Sequence, residues 1–395
     1  MSQEDAARLP AELAALCARG AALVRPKTHV ELGLAARPVE ALAEEALSAP
    51  VGCAPLSVPP RARVVVLVSD ATRDEPRMEL FRALRSHLAR VDDARISLVV
   101  ASGTHAPRDA ATVIEADVRA RHPVHVHDGH DPGAVIDLGR TSRGTRVRVA
   151  RVVAEADVIV TTGRIRPHYF AGMSGGVKSV FPGCALAVDA RQNHLHKADP
   201  RARLGRLDDN PCRLDMEEAA RLLPGRLFML NVVADCDGAY THAFAGDVVD
   251  AHRAAARAAA PLFEAEAGRA RVVVASDLPP VTDSLYQASK LLPPVGAMLR
   301  EGGVAIMVAA CPEGTGPLQT VNEGIYRLGV RHHLPRGHAI DLVSSMDEAT
   351  TATTYARHAP SLAVALARAG VPERGRLDDV AVAWRAGELV VRARG

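Results

Sequence analysis

Six apolar runs set the architecture: VVVLVSD (64–70), ISLVVASGTH (96–105), DVIVTTGRI (157–165), LFMLNVVAD (227–235), VVVASD (272–277) and VAIMVAACPEG (304–314). They are continuous and rich in β-branched residues rather than alternating, the pattern of parallel strands covered on both faces. Helical segments separate several of them, including MELFRALRSHLARV (78–91), AHRAAARAAAPLFEAEAG (251–268) and SLAVALARAG (361–370). This alternation predicts an α/β fold. At 395 residues the chain exceeds the size at which one core keeps growing. The expectation is therefore two α/β domains with largely parallel sheets and the active site in the cleft between them. The alanine-rich helix at 251–268 is the expected connector, because the strand-helix rhythm restarts after it. Residues 1–262 then form an N-terminal domain and residues 263–380 a C-terminal domain that closes the site. VAVAWRAGELVVRARG reads as two short strands around AG, and the segment 381–395 is assigned a possible return to the first domain.

Composition narrows the class of function. A net charge of +2 leaves no basic excess for nucleic acid, so a small-molecule protein is expected. No apolar stretch approaches the roughly 18 residues that a membrane span needs. The start, MSQEDAARLPAELAALCARG, is acidic and amphipathic, unlike a secretory signal. Cysteines at 17, 53, 184, 212, 236 and 311 form no CxxC pair and no metal-type spacing. A cytoplasmic enzyme is the expectation.

In open α/β sheets, ligands collect beyond the carboxyl ends of the strands. Three successive ends here carry Asp70 to Arg73, Gly103 to His105, and Arg164 to Lys178. Arg73 has the planar fork suited to a carboxylate or phosphate. Asp70 suits either a turn cap or a ligand hydroxyl. His105 and His168 together supply what inversion of a stereocentre needs, a proton acceptor and a proton donor on opposite sides of a planar intermediate. Lys178 sits in SGGVKSVFPG, where Gly175 and Gly176 let a bulky group approach the backbone. The phosphate-loop pattern GxxxxGK[ST] fails there, because Val177 occupies its second glycine position. The lysine is then either a point charge or, once desolvated, an amine nucleophile.

Other clusters are weaker. In RQNHLHKADP, His194 and His196 alternate and would share a face of an extended segment, but no Cys, Asp or Glu completes a zinc set. HPVHVHDGHD (122–131) reads as a metal run or as an edge strand with a polar face. DSLYQASK (283–290) puts Tyr286, Gln287 and Lys290 within one helical turn, with Asp283 or Ser284 as the cap. LDDNPCRLDMEE (207–218) predicts a helix starting at Pro211. The glycines of CPEGTG (311–316) suit a tight loop near a ligand.

Taken in order, SDATR, GTH, RPHYFAGMSGGVKSVFPG, the histidine sixteen residues beyond the lysine, DNP and YQASK resemble the lactate racemase family of nickel-pincer-nucleotide enzymes, from about residue 65 to 316. The resemblance implies that Lys178 forms a thioamide with the cofactor. That cofactor is a pyridinium-3-thioamide-5-thiocarboxylic acid mononucleotide carrying Ni(II), with His194 as the protein's nickel ligand. Soft sulfur donors and a square-planar nickel are compatible preferences. It further implies proton-coupled hydride transfer on a 2-hydroxy acid, with His105 and His168 as acid and base. Arg73 would engage the substrate carboxylate, and Tyr286, Gln287 and Lys290 would face the substrate from the second domain. Asp70, Gly175 and Gly176 fall on the cofactor side, and cofactor biosynthesis proteins are implied as maturation partners.

Arg164 and Arg166 add positive charge that a small substrate such as lactate does not demand; they either form salt bridges within the protein or point to a substrate with a second anionic or polar group, and the only tryptophan, Trp384, lies far along in the C-terminal strand pair. A larger sugar acid or a dicarboxylic hydroxy acid such as malate is the alternative substrate class. A non-catalytic cofactor-binding protein would need only Lys178 and His194. A phosphosugar enzyme without nickel would leave His194 unexplained.

Overall fold

The structure, a computed structural model, describes residues 8–394. These residues divide into two compact units, one running from Thr28 to Pro261 and the other joining residues 8–27 with residues 262–394.

The first unit is built on a six-stranded sheet in the spatial order Tyr240–Gly246, Arg226–Ala234, Val158–Ile165, Val64–Ser69, Ile96–Ala101 and Val124–Val126. All neighbours are parallel except the edge strand Tyr240–Gly246, which runs antiparallel. Val64 to Val68 are each at most 2% exposed, which is why this run has no alternation to read. Each such side chain contributes about 1.5–3 kcal/mol through burial. Helices Val39–Ser48 and Arg77–His87 cover one side of the sheet with Leu47, Leu80, Phe81 and Leu84.

Chain order sets where a ligand can lie. From Val64–Ser69 the sheet grows outward to Ile96–Ala101 and Val124–Val126, then resumes on the opposite flank with Val158–Ile165 and Arg226–Ala234. The reversal leaves a crevice between the carboxyl ends of Val64–Ser69 and Val158–Ile165. Asp70 to Arg73 follow the first of these strands and Arg166 to Lys178 follow the second.

The second unit also carries a six-stranded sheet, all parallel, in the order Ala22–Val24, Val380–Trp384, Ala270–Ser276, Leu299–Val308, Ala339–Val343 and Arg357–Ala359. Two boundaries of the sequence reading change here. Ala22–Val24 hydrogen-bonds to Val380–Trp384, so the N-terminal segment belongs with the C-terminal half. The described part of the segment 381–395, up to residue 394, stays in this unit, and its two strands do not pair with each other. Val390–Ala393 instead pairs in parallel with Glu264–Ala267. The division between units falls inside the helix Asp250–Phe263, where a connector was expected.

Candidate active site

The loop that follows Val158–Ile165 is folded back by a two-residue hairpin, Pro167–His168 against Gly172–Met173, and ends in the helical turn Gly176–Ser179. Gly172 has φ +75, and a Cβ there would lie 2.0 Å from the Arg206 carbonyl, so only glycine fits. Asn210 caps the helix Pro211–Arg221 with its side-chain oxygen and donates from Nδ2 to the Phe170 carbonyl at 2.8 Å. The helix start at Pro211 is as the sequence predicts.

Phe170 is the hub of the site. The Lys178 Nζ lies 5.5 Å from its ring centroid, the His194 ring 4.8 Å and the His168 ring 4.6 Å. Lys178 and His194, one on a helical turn and the other at the end of a helix, thus stand against the same phenyl group.

Three buried polar side chains hold the backbone leading to Lys178. Asn231 Oδ1 accepts from the Gly176 N–H at 3.0 Å, His252 Nε2 donates to the Ser174 carbonyl at 2.7 Å, and Arg213 reaches the Gly175 carbonyl at 3.5 Å. Gly176, at φ +59, packs so tightly on this clasp that a Cβ would sit 2.8 Å from His252 Cδ2. The clasp residues come from one strand and two helices up to 78 positions away, and no motif announces them.

Lys178 is surrounded by positive charge. Burial, with Arg73, Arg213 and Arg166 nearby, pulls its ammonium down to about 7. A sizeable fraction is therefore neutral amine at physiological pH, the form that can act as a nucleophile. His194, at the end of the helix Ala187–His194, is pulled down to about 3 by burial and by Lys197 and Lys178, so its imidazole is neutral and suited to bind a metal. Asn193 fixes that helix end by donating to Asp215 at 2.8 Å and to the Cys212 carbonyl at 3.1 Å.

On the other strand end, His105 Nδ1 lies 2.7 Å from Asp70 Oδ2. Burial pushes the Asp70 carboxyl up, but the bond from His105, the bond from Thr72 and the charge of Arg73 outweigh it and hold the group at about 2. An ionised carboxylate only accepts, so His105 carries its hydrogen on Nδ1 and leaves the Nε2 lone pair open. His168 is arranged in the opposite sense. Its Nδ1 accepts from the Ala171 N–H at 3.3 Å, which puts the neutral ring's hydrogen on Nε2. Arg77 braces the loop with bonds to the carbonyls of Ser69 at 2.8 Å and Asp70 at 2.5 Å, and to that of Arg73. Arg73 stands close enough to lower both Asp70 and Lys178, which ties the two strand ends into one site.

The remaining candidates separate. His194 and His196 do not share a face, because the segment is helical; His196 turns toward Asp215, 3.7 Å away. Lys197, three positions after His194, takes the shared face instead, with its Nζ 5.7 Å from the Phe170 centroid. Arg164 is buried and donates to the Asp235 carbonyl at 2.7 Å, whereas Arg166 contributes to the field at Lys178. The histidines of 122–130 scatter: His122 bonds the Asp93 carbonyl, His127 bonds the Ala185 carbonyl, and His125 is exposed on the edge strand Val124–Val126. Among the described residues no group of three or more His, Cys, Asp or Glu is placed to hold a metal. Within the second unit, Ser284 caps the helix Leu285–Ala288, Lys290 donates to Gln287 Oε1, and Gly316 packs against Tyr286. Trp384 is buried in the parallel sheet of that unit.

A model of the lactate racemase N-terminal domain matches residues 25–205. A lactate racemase of Lactiplantibacillus plantarum is 32% identical over 292 residues, covering 72% of this chain and 68% of that protein. The chain belongs to the lactate racemase family. A lactate racemase of Thermoanaerobacterium thermosaccharolyticum is 30% identical over 297 residues, 73% of this chain and 68% of that one. The solved structure of the lactate racemase apoprotein from the latter organism matches with a TM-score of 0.80 at 25% identity, covering 97% of this chain and 96% of that chain. A protein of Thermotoga maritima shares the fold at 17% identity, with a TM-score of 0.64 and coverage of 90% and 97%. As a member of this family the chain is an isomerase of the racemase type.

Proposed function

We propose that the chain inverts the stereocentre of a 2-hydroxy acid, with Lys178 as the tether of a nickel-pincer nucleotide and His194 as its nickel ligand. The observation that carries this reading is the convergence of an unpaired amine and a neutral imidazole on one phenyl ring. No protein-only metal set exists among the described residues, so a nickel ion at His194 would draw its other donors from the tethered group. When bound, that group would supply the hydride-accepting chemistry that inversion at the α carbon needs, with Lys178 and His194 holding it.

The chain's own residues supply the rest. His105 takes the hydroxyl proton on Nε2, and Asp70, already bonded to Nδ1, stabilises the imidazolium that forms. His168 serves the other face, and a second proton on its ring displaces the Ala171 N–H. Arg73 is the proposed partner of the substrate carboxylate, and Tyr286, Gln287 and Lys290 are the proposed substrate-facing group of the second unit. Exclusion of water would protect the hydride.

A larger sugar acid or a dicarboxylic hydroxy acid is a second reading, because Arg166 adds to the positive field at Lys178, which a second anionic group would complement. The test is intact-mass measurement of the chain expressed with and without the cofactor biosynthesis proteins, with Lys178→Ala as control. A lysine-dependent adduct supports the reading, and its absence after successful maturation of a known family member in parallel defeats it. A racemisation screen comparing lactate with malate and sugar acids, on wild type and Arg166→Ala, then separates the two substrate classes.

A further inference from the structure

Only four of the 48 basic residues are lysines, at positions 27, 178, 197 and 290. Two of the four, Lys178 and Lys197, point their amines at the Phe170 ring. Lys178 has the role argued above, but Lys197 has none there. Its residue is 6% exposed, yet among the described residues it forms no hydrogen bond and no ion pair. The nearby carboxylates are otherwise engaged: Asp199 holds Arg201 at 2.6 Å, and Asp215 accepts from Thr141, Thr145 and Asn193. Cys212, whose thiol also lies in the field of Lys197 and Lys178, is pushed up to about 12 by burial and stays neutral. A buried ammonium with no counter-ion is costly, and an apolar side chain of similar length would be cheaper for packing alone. The one contact seen, the face of Phe170, is worth about 0.5–2 kcal/mol, a small return for an amine held in a side chain this far from water.

We propose that Lys197 is an anion-binding residue of this site, and that its ammonium receives an oxyanion of the ligand seated against Phe170. The oxyanion is either a phosphate, as a mononucleotide carries, or the carboxylate of a hydroxy acid. The inference rests on reading this pocket as a ligand site, but not on Lys178 being acylated.

The test uses the full chain expressed without maturation proteins. Calorimetry with inorganic phosphate and, separately, with racemic lactate is run on wild type, Lys197→Met and Lys197→Arg. We expect Lys197→Met to weaken binding of one of the two anions by about tenfold or more, the loss of one charge-assisted hydrogen bond, with binding largely kept in Lys197→Arg. Loss for phosphate alone assigns the nucleotide, and loss for lactate alone assigns the substrate. In the absence of anions Lys197→Met should unfold at the same or a higher temperature than wild type, because an unpaired buried charge is gone. Unchanged binding of both anions overturns the proposal, as does a wild type that binds neither at millimolar concentration. Should Lys197→Met fail to fold, 13C NMR of the reductively methylated wild type decides: four lysines give few enough signals to assign, and an anion that leaves the Lys197 signal unmoved overturns the proposal. The Lys178 adduct is read separately by mass, so its absence would defeat the tether without touching this result.

Discussion

Replacing Asp70 by asparagine keeps the size of the side chain and the hydrogen-bond site while removing the charge beneath His105. Asp70 is 7% exposed and its oxygen lies 2.7 Å from His105 Nδ1. Burial opposes ionisation, and the carboxyl still falls from 3.8 to about 2, with His105 the largest of the favourable contributions. At about 1.4 kcal/mol per unit, the net preference for the ion is roughly 2–3 kcal/mol. A charge-assisted hydrogen bond of this kind is worth about 1.5–3 kcal/mol. If that bond holds the imidazolium in the transition state, its loss slows racemisation by roughly 30- to 150-fold, and more if the asparagine amide also imposes the wrong tautomer. The assay is polarimetric racemisation by matured protein whose adduct has been verified by mass, so that loading and turnover are not confused. Activity within threefold of wild type at equal loading would falsify the assignment of Asp70 as the partner that positions His105. The substitution also has an acid signature. The folded-state value lies below the unfolded one, so the carboxylate stabilises the fold fully above about pH 4 and loses that effect as the pH falls toward 2. Wild type and Asp70→Asn should therefore converge in stability as the pH is lowered through that window.

The other expectations can be checked on simpler preparations. In the unmatured chain Lys178 titrates near 7 instead of 10.5, so its burial penalty is complete below pH 7 and fades as the pH rises toward 10; Lys178→Met should raise the melting temperature more at pH 6 than at pH 9.5, and equal gains would contradict the charged environment described. His194→Ala should keep the organic mass adduct on Lys178 while nickel measured by elemental analysis drops out; nickel retained at one per chain would rule out His194 as the ligand. Gly176→Ala drives a methyl group into His252 and should cost about 1–3 kcal/mol in denaturant unfolding and lower adduct yield, whereas a neutral effect would show the clasp to be loose.

The core was legible in the sequence where burial was two-sided. All six long apolar runs became strands, because continuous β-branched sequence has few other uses at that length. The edges were not. YTHAFAG is only partly buried and carries a histidine and a glycine, so nothing in its composition distinguishes the antiparallel strand Tyr240–Gly246 from a loop. The strand Ala22–Val24 is three residues long and is defined by partners more than 350 positions away, a pairing that local sequence cannot specify. At the site, Lys178, His105 and His168 drew attention because each follows a strand end or a glycine-rich turn, whereas His194, at the end of a helix, was singled out only by its spacing from Lys178. Reading RQNHLHKADP as extended misplaced His196 and hid Lys197, because the segment has no apolar period from which helical phase could be read. The scarcity of lysine was a usable signal that periodicity arguments pass over.

The strand Ala22–Val24 has a consequence for synthesis of the chain. It emerges from the ribosome early, while its partner Val380–Trp384 is still hundreds of residues from being made. At about 5–20 residues per second the delay is on the order of tens of seconds, long enough for the contiguous 28–261 unit to complete its own sheet first. Until then a short apolar strand waits for its parallel partner, and a fragment beginning at Leu262 would be born with one margin of its sheet bare.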